Sequence, residues 1–99
     1  MTPIEVGLAV RSLHEWGLPG DLAYVASAAG LYSFRELEEL GRPFTDGFSP
    51  LELASGLECA AQVTGDEEIR LFAYAWVEDI RLRRVDDGDA DYDETPPID

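Results

Sequence analysis

Four times in 99 residues the chain repeats one helix-start signature: Thr2 with Glu5, Ser33 with Glu36, Ser49 with Glu52, and Thr64 with Glu67 all read S/T-x-x-E. At that spacing the hydroxyl accepts the backbone N–H three residues on, and the glutamate reaches back to the cap N–H. Pro3 and Pro50 follow their caps directly, at the helical position where a missing N–H costs nothing. The pattern predicts an all-α chain of about five helices, over about 3–15, 22–29, 34–40, 50–63 and 67–85. The first should end in Trp16-Gly17-Leu18-Pro19-Gly20. The second should be capped by Asp21 and stopped by Gly30. Gly41, with Pro43 beyond it, closes the third, and Gly65 the fourth.

Apolar spacing supports the same division. Val6, Val10 and Leu13 form one stripe of the first helix, with Ile4 and Leu8 beside it; Leu53, Leu57, Ala60 and Ala61 do so in the fourth. The fifth carries Ile69, Phe72, Ala73, Trp76, Val77 and Ile80, with a second stripe of Leu71, Ala75 and Leu82. A helix apolar over so much of its circumference is expected at the centre of the core. The fourth should pack with the first and fifth, closed off by the shorter pair. Between 41 and 49, Phe44 and Phe48 flank an Asp46-Gly47 turn and should anchor the loop to the core. The strand-type alternation of a β-sheet is hard to find.

Texture changes after Val85. Residues 1–85 form the helical domain, and 86–99 read as a disordered acidic tail with seven acids, no base and a proline pair. The tail's alternating Asp87, Asp89, Asp91 and Asp93 suggest a calcium loop, but the sixth and twelfth positions counted from Asp87 are Tyr92 and Ile98 instead of glycine and glutamate. A solvated charge run is the better account.

Charge limits the partners. Lysine is absent, and seven arginines oppose 21 acids for a net charge of −14. Such a surface repels nucleic acid and anionic membranes and favours basic proteins. No apolar run approaches the ~18 residues of a membrane span, and the N-terminus lacks signal-peptide texture. The single Cys59 allows no intramolecular disulfide, which with the other two features makes a cytoplasmic setting the default.

Catalytic and metal chemistry find little support. His14, the one histidine, falls at a helix end and is expected there as a partly exposed residue. Cys59 has apolar and acidic neighbours, so a small buried core residue is expected instead of a reactive thiolate. One His and one Cys make neither a zinc set nor a supported dyad. No enzyme, cofactor or metal is expected.

Residues 22–37 are superficially similar to a DNA-binding helix-turn-helix, with an alanine, a glycine four residues later and a capping serine. Glutamates stand at 36 and 39, where that motif places apolar residues. Glu36, Glu38 and Glu39 would also meet phosphates from the reading helix. A structural hairpin is the better account. Arg81, Arg83 and Arg84 form one basic island, with Glu78–Arg81 and Asp79–Arg83 at helical pair spacing; a competing idea is that the acidic tail folds back on it.

The leading functional expectation is a non-enzymatic acidic module that occupies a basic surface on a nucleic-acid-handling protein, as an inhibitor or nucleic-acid mimic would. Its contacts would come from Glu36, Glu38, Glu39, Asp66, Glu67 and Glu68, with Asp87, Asp89, Asp91 and Asp93 of the tail. The alternatives are a small accessory subunit docking through an apolar helix face and, behind it, a helix-turn-helix regulator.

Overall fold

The fold was obtained as a computed structural model, which describes residues 2–86, with side chains described through 83. Five helices follow one another: α1 (Pro3–Glu15), α2 (Pro19–Ser27), α3 (Phe34–Gly41), α4 (Pro50–Val63) and α5 (Glu67–Asp86), with a 3₁₀ turn over Arg42–Phe44 after α3. No strand occurs among the described residues. Helix α5 takes in Asp86, the first residue of the expected tail; 87–99, with its four aspartates, lie outside the described residues.

The helix starts use the predicted chemistry in full at two of four places and by its hydroxyl half at a third. Thr2 and Ser33 make complete capping boxes with Glu5 and Glu36, and Ser49 Oγ accepts the Glu52 N–H. The fourth differs. Thr64 ends α4, and Asp66 caps α5 by accepting from the N–H groups of Glu68 and Ile69 at 2.9 and 3.1 Å. A carboxylate set one residue before the helix reaches both donors more directly than the threonine could. Helix α2 starts earlier than expected, with Pro19 as its first residue. Asp21 therefore lies within the first turn and is not its cap.

Helix α1 is the hub, lying against α2, α3, α4 and the 3₁₀ turn, whereas α5 packs on α4 and α2. The expectation of a central α5 is corrected here. Its Ala73, Trp76, Val77 and Ile80 are buried, but the second stripe of Leu71, Ala75 and Leu82 faces outward. Ile4 and Leu8 of α1 and Phe44 are likewise exposed, while Phe48 packs against the core. Packing of α4 with both α1 and α5 is as expected.

Glycine sets how close α1 comes to its neighbours. A Cβ on Gly7 would overlap the Leu40 carbonyl of α3, and one on Gly41 would strike the Val10 side chain at 2.6 Å. On the other side, a Cβ on Gly56 of α4 would overlap the Leu13 carbonyl. Gly17 ends α1 in the left-handed region at φ 63°, donating to Ser12 and Leu13 carbonyls. His14 is also tighter than expected. Its side chain is only 8% exposed, Nε2 accepts the Ser49 N–H at 3.1 Å, and its ring stacks on Phe48 at 5.1 Å. The imidazole thus ties the end of α1 to the start of α4. Cys59 is exposed, contrary to expectation. It sits about 200° around α4 from buried Leu57, on the outer side of the helix.

At the start of α1, the capping hydrogen bond from the Thr2 backbone, then the Tyr24 hydroxyl, hold the Glu5 carboxyl below its ordinary value. This contribution to the helix start is present at neutral pH and is lost as acid protonates Glu5.

Two alanine substitutions should therefore move stability in opposite directions. Gly56→Ala should destabilise by on the order of 1–3 kcal/mol, because two backbones must separate. Gly20→Ala in α2, where the new methyl meets nothing within 4 Å, should stabilise by about 0.4–1 kcal/mol. Thermal melts of both variants check the pair.

Candidate functional site: an acid-rimmed apolar groove

Three neighbouring clefts run across one side of the bundle. The first, of about 400 Å³ between α2 and α5, is lined by Ala26, Ala29, Glu68, Ile69 and Phe72 among others. It shares Ala29 and Phe72 with a second, of about 310 Å³, that adds Tyr32, Ser33 and Phe34. Tyr32 leads into a third, of about 350 Å³, closed by Arg35, Glu36, Glu39 and Leu40 of α3. Together they form an apolar floor with carboxylates at both ends: Glu68 at one, Glu36 and Glu39 at the other.

The floor is rigid. Phe34, Phe72 and Trp76 make a three-ring cluster with centroids 5.6–5.8 Å apart, and Phe34 lies nearly parallel to the indole. Each such pair contributes about 0.5–1.5 kcal/mol beyond the area it buries. Trp76 is fully buried, so the two phenylalanines are held from beneath while their outer faces line the groove.

The indole is itself anchored, and here one predicted contact residue is reassigned. Glu38 is 3% exposed and offers nothing to a partner. Its carboxylate accepts from Trp76 Nε1 at 2.8 Å and from Arg83 Nη1 at 2.9 Å, with a further, shorter bond from Arg83 Nη2. Arg83 Nε also donates to Asp79 Oδ2 at 2.9 Å. These bonds, the one with Glu38 foremost, raise the Arg83 pKa above its ordinary value. The network clasps α3 to the C-terminal half of α5. It was missed in the sequence because a glutamate between two others reads as a solvated face. The available signal was its place on the helix, one turn from Phe34 and from Gly41, both facing inward.

The other predicted residues among those described are exposed, and several also serve the fold. Glu36 completes the α3 capping box, and Glu39 lies 3.5 Å from Arg42. Asp66 caps α5, Glu67 pairs with Arg70 at 2.9 Å, and Glu68 stands on the groove rim. The structure brings Glu36, Glu39 and Glu68 to one groove; Asp66 and Glu67 are not among its lining residues.

Three arginines of α5 are engaged by other groups of the chain. Arg70 donates to the Ala61 and Thr64 carbonyls at the end of α4. Arg81 pairs with Glu58 across to α4 at 2.7 Å, instead of with Glu78 as expected. Arg83 is engaged by Glu38 and Asp79. Among the described residues, no group of three His, Cys, Asp or Glu is placed to hold a metal ion, and no helix is long and apolar enough to cross a membrane. Helices α2 and α3 both pack on α1, and the burial of Glu38 removes it from the surface that a reading helix would present.

Comparison with protein-family models, with curated proteins and with solved structures finds no match in any of the three.

The clasp predicts a non-additive stability pattern. Arg83→Met alone should cost on the order of 3–5 kcal/mol, since it strands a buried carboxylate. Adding Glu38→Gln removes the charge and keeps an acceptor for Trp76, so the double variant should be the more stable of the two. Urea denaturation of the single and double variants measures the coupling.

Proposed function

We propose that the chain is a non-enzymatic binding module that docks on a cationic surface of a partner protein, with the groove between α2, α3 and α5 as its principal contact. The observation that carries this reading is the pairing of an apolar aromatic floor with Glu36, Glu39 and Glu68 at its ends. The chain's net charge of −14 acts in the same direction at longer range.

The physical division of labour is that of many protein interfaces. Apolar rings supply desolvated contact area, and peripheral charges select the partner and speed encounter. A basic segment carrying an apolar or aromatic side chain fits both demands: the side chain enters beside Tyr32, Phe34 and Phe72, and its lysines or arginines meet the rim. Duplex nucleic acid fits neither, because phosphates would face carboxylates. A cationic protein surface that itself binds phosphates is the finer form of the proposal, in which this module competes with nucleic acid for one site.

Affinity capture with the full chain from its native host tests the reading. The expected partner is rich in Lys and Arg, and its retention falls at least about tenfold when salt is raised to about 0.5 M, where screening shortens the reach of charge. Glu36→Gln/Glu39→Gln/Glu68→Gln should weaken capture comparably. Retention that ignores both salt and the triple substitution would overturn the proposal.

A further inference from the structure

Helix α5 also turns a convex face to solvent. Leu71, Ala75, Glu78 and Leu82 follow at i, i+4, i+7 and i+11, a single row opposite the buried Ala73, Trp76, Val77 and Ile80. Leu71 and Leu82 are each 58% exposed, and Tyr74 beside the row is 41% exposed. The two leucines stand about 16 Å apart along the axis. Between them, Glu78 is exposed and has no cationic partner among the described residues. Three arginines of the same helix, Arg70, Arg81 and Arg83, are held by Glu67, Glu58 and Glu38 respectively.

This pattern restricts what can cover the row. A second copy would bring −14 against −14, and its seam would take Glu78 out of water with no cation to receive it. A lipid or an uncharged apolar surface leaves the same carboxylate stranded. A helix with an apolar row of its own and a Lys or Arg set within it satisfies both leucines and the glutamate, by the ridge-and-groove packing that a straight helix face offers. We propose that the outer face of α5 receives a basic amphipathic helix of a partner protein, anchored on Leu71 and Leu82 and keyed by a cation at Glu78. This surface is separate from the groove floor and shares with the groove reading only the acidic charge.

The probe is a synthetic, fluorescently labelled Leu/Lys helix with leucines in the i, i+4, i+7, i+11 row and a lysine among them. A peptide of the same composition with its leucines scattered around the helix is the control. Anisotropy titrations against the full chain should show the patterned peptide binding at least roughly tenfold tighter than the scattered one. Leu71→Ser/Leu82→Ser should abolish that difference, and Glu78→Lys should transfer preference to a Leu/Glu peptide of the same pattern. Glu36→Gln/Glu39→Gln, on the groove, should leave it unchanged. These side chains are on the surface, and circular dichroism checks that each variant keeps its helices.

The inference is overturned if wild type does not favour the patterned peptide, or if the leucine variant favours it equally. Binding that follows the groove variant instead would sink this surface while supporting the groove. A salt-resistant dimer in sedimentation, lost in Leu71→Ser/Leu82→Ser, would assign the face to a second copy and overturn the proposal as well.

Discussion

Helix α1 meets α3 and α4 at crossings where backbone lies directly on backbone, and the fold depends on the absence of side chains there. Gly7 faces the Leu40 carbonyl, Gly41 faces Val10, and Gly56 faces the Leu13 carbonyl. A methyl at Gly7 or Gly56 would force two helix axes apart. Those axes carry the rest of the structure: α3 brings Phe34 and Glu38 to Trp76, and α4 receives Arg70 and Arg81 from α5. Short helices with modest apolar faces pack tightly here because small residues shorten the distance between them, which increases the dispersion contact of the remaining side chains.

The second organising force is the assignment of charge. Carboxylates are abundant and arginines are few, and the fold spends the arginines first. Arg70 closes the end of α4, Arg81 ties α5 to Glu58, and Arg83 neutralises the one deeply buried carboxylate among the described residues. Each pairing removes positive charge from the surface along with the negative charge it meets. Several of the remaining acids among the described residues, Glu5, Glu36, Glu52, Glu67 and Glu68, stand exposed in first turns of helices, where they are also favourable to the local backbone. An anionic exterior is therefore the remainder left once this pairing is complete, and it is the common ground of the two proposed surfaces.

Much of the architecture was legible because helix termini announce themselves locally. Thr2, Ser33 and Ser49 cap where their glutamates predict, since a capping box involves only four consecutive residues. Thr64 misled for the same reason: Asp66 caps the helix two residues later, through the N–H groups of Glu68 and Ile69, and the pattern alone does not rank the two starts. Which apolar residues are buried was read less well. Leu71 and Leu82 have the spacing of a core stripe, but their burial depends on whether another element lies over them, and none does within residues 2–83. Glu38 is the converse case, a polar residue made internal by Arg83, 45 positions away. Composition and local period do not encode a partner that distant. The groove was half visible, as Glu36, Glu39 and Glu68, while its floor of Ala29, Tyr32, Phe34 and Phe72 required the tertiary arrangement.

Helix α5 joins packing, charge and surface, because both candidate surfaces use it and Arg70, Arg81 and Arg83 fasten it. Phe72 and Glu68 border the groove, Leu71 and Leu82 stand on the outer row, and the three pairings of Arg70, Arg81 and Arg83 attach the helix to α4 and α3. A helix fixed at several points along its length presents its side chains already ordered, which lowers the conformational entropy lost when a partner arrives. The same fastenings bear on the proposed choice of a cationic partner. With those three arginines engaged, the row of Leu71, Glu78 and Leu82 offers apolar contact and a carboxylate. Electrostatic selectivity at its surface is then a consequence of how the fold secures its last helix, and loosening the Glu38–Arg83 clasp should disturb recognition as well as stability.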